Sequence, residues 1–175
     1  DAEVEGLIEA PKTIHVFDVK TIKTSKFAEL IKTGIRKMFP VYFTQGMLYM
    51  HARGRTRAAF LFVNKDTDEM HMERFDYNKK EAVAMLDRAR RIALSTRLPE
   101  PIMGGGADWY ACKMCDFNSF CWDAESRVVQ QNCRTCEHVR PLEDGTWACA
   151  FHEATDIDVE YQLIGCDDYA INKDL

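Results

Sequence analysis

Cysteine is missing from the first 111 residues of this 175-residue chain, and all seven cysteines follow them. An odd number, clustered as C-x2-C pairs, argues against a secreted disulfide framework and favours metal binding in a reducing, cytoplasmic compartment. There is no apolar run near the ~20 residues a membrane span needs, so no membrane partner is expected. With 46% hydrophobic and 29% charged residues the composition is that of a soluble globular protein. No signal-peptide pattern, internal repeat or low-complexity tract is present. The first residue is Asp and the sequence is strand-like at once, so an N-terminal element is expected to be missing from a longer chain. The length fits one domain with a small appendage: a body over residues 1–110 and a Cys-rich metal-binding region over 111–175.

The net charge of −5 is unevenly spread. From Lys12 to Arg97 there are 18 Lys/Arg against 9 Asp/Glu, and the remainder holds 5 against 19. A basic body with an acidic tail suits a polyanion held by the body.

The apolar pattern predicts an α/β body. Ala2 to Glu9 and Thr13 to Lys20 read as strands joined by a turn at Ala10-Pro11-Lys12. Ser25 can cap a helix ending near Thr33-Gly34, and Pro40 suits the first turn of a second helix running to about Gly54. "AAFLFVN", Ala58 to Asn64, is a near-continuous apolar strand of the kind covered on both faces of a sheet. Met70 to Tyr77 alternates as an edge strand does. Asn78 can cap a long helix to about Arg97, with Ala82, Val83, Met85, Leu86, Ala89 and Ile92 as its apolar stripe. Beyond "LPEPIMGGGADWY" the apolar residues are too few to bury enough surface unaided, which predicts a metal-stapled region.

"IHVFDVKT" ends an apolar strand with Asp18 and Lys20 two residues apart, hence on one face. Glu5 lies 13 residues before Asp18 on the preceding strand, enough for a turn and a return to a similar level. Two carboxylates there would make a hard-oxygen site suited to Mg²⁺ or Mn²⁺. A lysine beside them can hold the attacking water and offset charge on a phosphate. His15, an odd number of residues from Asp18, has the wrong parity for that face and reads as structural.

"VEGLIEAPKTIHVFDVKT" resembles the core of the PD-(D/E)XK nucleases, with Glu5, Asp18 and Lys20 in the places of the two acids and the lysine. Glu5 departs from the Asp that family mostly carries there. Gln45 and Tyr49 sit four apart on one helical face and resemble the Q-x-x-x-Y helix of the RecB-like and lambda-exonuclease-like branch. The resemblance implies a restriction-endonuclease-like mixed sheet flanked by helices. It further implies a Mg²⁺- or Mn²⁺-dependent DNA exonuclease of phage type, working in recombination or replication with possible protein partners in a bacterial host. Arg53, Arg55 and Arg57 in "RGRTR" would hold DNA phosphates. The alternatives are a nuclease-fold module that binds DNA without cutting it, and a zinc-ribbon protein-interaction module.

Cys112, Cys115 and Cys121 supply three soft ligands beside Trp109, Phe117, Phe120 and Trp122. They resemble the Cys triplet of RecB-family nucleases that hold a [4Fe–4S] cluster, while thiolates equally suit Zn²⁺. Cys133, Cys136 and Cys149 begin a second set around a turn at Glu143-Asp144-Gly145, as in a zinc ribbon. Either His152 or Cys166 can complete a Zn²⁺ site there.

Overall fold

The computed structural model describes residues 1–100, 106–125 and 127–174. They form two compact units, Asp1–Ala89 and Arg90–Leu175. The division falls earlier than the expected one at residue 110, within a helix rather than in the Pro/Gly-rich stretch, of which 101–105 lie outside the described residues.

The first unit is α/β. Its strands are β1 (Ala2–Val4), β2 (His15–Ile22), β3 (Arg57–Asn64) and β4 (Met70–Asp76), in that order across one mixed sheet. β1 and β2 are antiparallel, β2 and β3 parallel, and β3 and β4 antiparallel. A parallel pair needs a crossover. Here it is made by α1 (Thr24–Thr33), α2 (Ile35–Met38) and α3 (Pro40–Arg53). The unit closes with α4 (Lys79–Leu94), which runs across the division.

Strand period 2 fixes which side chains meet the helices. The register pairs Val16 with Ala58, Asp18 with Phe60, Lys20 with Phe62 and Ile22 with Asn64. Val16, Ile22, Ala58, Phe60 and Phe62 join Phe27, Leu30, Ile35, Phe43, Met47, Met50 and Ala82 in one buried cluster. On the opposite face Val19 is 49% exposed and Leu61 and Val63 are only half-buried. The apolar run of β3 therefore does not mark a strand covered equally on both faces. Among the described residues no helix is long and apolar enough to cross a membrane.

Three local expectations are corrected. β1 ends at Val4 rather than Glu9, because Gly6 takes a left-handed φ of 92° and the chain leaves the sheet. Turns then carry it back, with Ala10 N–H donating to Leu7 O (2.9 Å) and Thr13 N–H to Ala10 O (3.0 Å). Ser25 does not cap α1. Asp66, from the turn after β3, accepts from both the Thr24 amide and the Thr24 hydroxyl at 2.9 Å, which holds its carboxyl below the usual range. Only part of the expected α4 stripe is buried: Ala82 and Met85 join the core, while Val83, Leu86 and Ile92 are exposed. Asn78 does cap α4, accepting from Glu81 N–H at 3.3 Å.

Gly46 sets how closely α3 approaches the sheet. A Cβ there would lie 2.6 Å from a Phe75 ring carbon and 2.8 Å from one of Phe60. Both rings belong to a packed aromatic pair with centroids 5.7 Å apart, so neither can turn aside freely. Gly46→Ala should cost about 1–3 kcal/mol by overpacking, despite alanine's better helix propensity. A urea melt of the variant checks this; equal or greater stability would contradict the close approach.

In the second unit, α5 (Tyr110–Lys113) and α6 (Asn118–Trp122) are single turns. A 3-10 turn at Cys133–Thr135 leads to a hairpin of β5 (Val139–Pro141) and β6 (Trp147–Cys149), and α7 (Val159–Ile164) follows. The hairpin turn falls at 143–145 as the sequence predicts, with Asp144 accepting from the Thr146 amide at 3.0 Å. The buried apolar residues of this unit, among those described, are Cys112, Cys136 and Val139. That is too little to fold it by apolar burial alone.

Candidate functional site

The end of β2 carries an ion pair with a buried carboxylate. Asp18 is only 7% exposed, and a carboxylate at that burial normally has partners for both oxygens. Lys20 Nζ lies 2.6 Å from Asp18 Oδ2, but outside hydrogen-bond geometry, so this buried oxygen accepts no hydrogen bond. The same ammonium sits 4.7 Å from the centre of the Tyr42 ring, whose π face favours a cation. Tyr42 in turn belongs to an aromatic group with Phe39 and Phe62 under α3. Spacing of two on a strand thus puts an acid and a base on the helix-covered face, and the ion pair offsets part of their desolvation.

Glu5 does not lie level with Asp18. The antiparallel register runs Ala2↔Phe17, Glu3↔Val16, Val4↔His15, so Glu5 lies past the end of β1, exposed and away from the level of Asp18. Continued one residue the other way, that register sets Asp1 opposite Asp18, and opposed residues share a face. Gln45 Nε2 donates to Asp1 Oδ1 and the Tyr49 hydroxyl to Asp1 Oδ2, both at 3.3 Å. Gln45 and Tyr49 are themselves joined at 3.5 Å, as their spacing on α3 predicts. Asp1, Glu3, Val16, Tyr49 and Arg53 line a cavity of about 370 Å³. The signal that finds Asp1 is register counted from the strand pairing; counting residues back from Asp18 along a hairpin of assumed length does not.

The three arginines do not act together. Arg53, exposed beside that cavity, forms no ion pair among the described residues. Arg55 is bound to Glu3 through two hydrogen bonds of 3.0 and 2.7 Å, which hold the Glu3 carboxyl below its usual range. Arg57 faces Asp76 at 3.5 Å and lines a different cavity with Glu9, His15 and Arg74. His15 is buried and shares a hydrogen bond with Thr13 O at 2.9 Å, consistent with a structural role. The basic surface that the motif reading missed lies on α1 and α2. Lys23, Lys26, Lys32 and Lys37 are exposed there with Glu29 the one acid between them. Over the compact unit 1–89 the balance narrows to 15 Lys/Arg against 13 Asp/Glu.

In the second unit the two cysteine sets differ. Cys112 is buried, Cys115 exposed and Cys121 half-buried, and no group of three close metal-ligand atoms forms around them among the described residues. Phe117 and Trp122, expected to shield them, are 68% and 40% exposed. Cys133, Cys136, Cys149 and Cys166 instead line one cavity of about 450 Å³ together with His138, His152 and Asp168. Burial pushes the Cys133 thiol up, and the charges of Cys166, Cys136 and Cys149 push the same way.

Comparison with protein-family models, with curated proteins and with solved structures found no match to this chain.

The ion pair makes a testable claim about burial. Lys20→Met strands the Asp18 carboxylate and should cost about 3 kcal/mol, whereas Asp18→Asn combined with Lys20→Met should cost less than Lys20→Met alone. Denaturant melts of the two variants decide it; a double variant that is the less stable would contradict the pairing.

Proposed function

We propose that the first unit is a divalent-metal-dependent nuclease that hydrolyses DNA phosphodiester bonds on a restriction-endonuclease-like scaffold, as a member of the PD-(D/E)XK group. The observation that carries this reading is the buried Asp18 carboxylate paired with Lys20, together with Asp1 one residue before the β1–β2 pairing, where continuing the register would set it opposite Asp18. The donor set fits a hard cation: two carboxylates on one face, one of them paired with Lys20 through Oδ2. Asp1 and Asp18 would hold Mg²⁺ or Mn²⁺. Such an ion, when bound, polarises the phosphoryl oxygens and makes water a better nucleophile.

The chain's own groups supply the rest. Lys20, held by Asp18 and the Tyr42 ring, orients the attacking water and offsets the charge that builds on the phosphoryl oxygens. The water oxygen bonds to phosphorus and gives up a proton to solvent as the bond to the 3′ oxygen breaks, and that oxygen takes a proton from solvent and leaves as a hydroxyl. Gln45 and Tyr49 fix both oxygens of Asp1, so its carboxylate is oriented before substrate arrives. Lys23, Lys26, Lys32 and Lys37 on α1 and α2, with Arg53 at the cavity, give the strand's phosphates a sequence-independent hold.

The test is cleavage of end-labelled single- and double-stranded DNA in Mg²⁺ or Mn²⁺. The parent should cut at least one substrate, Lys20→Ala and Asp1→Ala should each be at least about 100-fold slower, and Glu5→Ala should match the parent. No cleavage in either metal, or a Lys20→Ala variant as fast as the parent, contradicts the assignment. DNA binding without cleavage would leave a DNA-binding module on the same scaffold.

A further inference from the structure

The second unit holds a cavity whose walls are mostly sulfur and whose position the local backbone explains. Asn132 caps the 3-10 turn of the C-x2-C pair, accepting from Arg134 N–H at 3.0 Å, and Cys136 N–H donates to Cys133 O at 3.2 Å. This turn puts Cys133 and Cys136 on one side of the cavity. Cys149 ends β6, and the amide of His152, three residues on, donates to its sulfur at 3.4 Å. An N–H aimed at sulfur stabilises a thiolate more than a thiol. Cys166 arrives from the far end of the chain. Gly165, at φ 78°, passes so close to residues 131–132 that a Cβ would lie 3.0 Å from Gln131 O and 3.1 Å from Asn132 Cα. Only glycine allows that approach, and it delivers Cys166 beside the C-x2-C turn.

We propose that Cys133, Cys136, Cys149 and Cys166 form a structural Zn²⁺ site that staples the second unit, with His152 outside the ligand shell. The alternative ligand set, in which His152 replaces Cys166, would leave the Cys166 thiol unused in a cavity that all four of these cysteines line. His152 Nε2 is 3.7 Å from Cys166 Sγ and 3.4 Å from Asp168 Oδ2, so the ring already bridges a sulfur and a carboxylate. From that position it donates to a metal-bound thiolate or is held by the carboxylate, as groups outside a metal's ligand shell do. His152, Cys166 and Asp168 are the one trio of metal-ligand atoms mutually within 4.8 Å among the described residues, and all three are exposed. No three of the four sulfurs are that close. They surround the cavity instead, and a tetrahedral ion would draw them in to Zn–S distances of about 2.3 Å. Four thiolates repel one another, and a thiophilic dication is the partner that offsets this. The scarcity of buried apolar residues in this unit gives the ion its structural task.

The test uses the intact protein. Metal analysis should find about one Zn²⁺ per chain attributable to this site, and alkylation followed by peptide mapping should show Cys133, Cys136, Cys149 and Cys166 protected until a strong chelator is added. Co²⁺ substituted for Zn²⁺ should give the intense charge-transfer and d–d bands of a tetrathiolate, retained in His152→Ala and lost in Cys166→Ser. Should Cys166→Ser fail to fold, the alkylation map of the parent still decides. Absence of bound metal, iron in place of zinc, or alkylation of Cys166 while Cys133, Cys136 and Cys149 stay protected would overturn the proposal. So would loss of metal from His152→Ala. None of these readouts depends on nuclease activity.

Discussion

A buried carboxylate held beside a lysine is the constraint around which the first unit is arranged. Lys20, on the same strand face, faces the Asp18 carboxylate at 2.6 Å and is itself seated on Tyr42. That arrangement requires β2 to pair in parallel with β3, since the register then sets Phe60 and Phe62 beside the two charged residues as an apolar wall. The parallel pairing requires the crossover, and the crossover contains Tyr42, Gln45 and Tyr49. Gly46 lets this helix come close enough for those side chains to reach the sheet edge. Sequence pattern, topology and charge placement therefore converge on one corner of the sheet.

Desolvation makes this corner chemically unusual. Asp18 Oδ2 is buried and meets only the Lys20 ammonium, so this carboxylate is held by charge rather than by hydrogen bonds. Asp1 differs: both of its oxygens are met by side chains of α3, which orient it without burying it. One acid is thus specified by burial and the other by hydrogen bonding. The second unit solves a different problem, that of folding with few apolar residues. Its solution is a set of sulfurs collected by short turns, one glycine contact and a hairpin.

Much of this was legible in the sequence where period and local chemistry decide it. The alternation of β2, the four-residue spacing of Gln45 and Tyr49, Pro40 at a helix start and Asn78 at a cap all follow from short-range rules. What was not legible depends on register and on long-range partners. Glu5 lies away from the level of Asp18 because Gly6 ends β1 early, and Asp1 comes to notice only by counting along the strand pair. Asp66 caps α1 from the turn after the neighbouring strand β3, where Ser25 was the local candidate. The arginines of "RGRTR" divide because one meets Glu3 and another Asp76, partners far away in sequence. Spacing likewise marked both cysteine sets as ligands, and among the described residues Cys133, Cys136, Cys149 and Cys166 of the second set line one cavity.

The central claim, that Asp18 belongs to a hard-cation site, is tested most directly by titrating the protein with Mn²⁺ and following free ion by its electron paramagnetic resonance signal. The account predicts saturable Mn²⁺ binding to the parent that is at least about tenfold weaker in Asp18→Asn, the loss expected when a ligating carboxylate becomes an amide. Equal binding by the two proteins, or none by the parent, would contradict it.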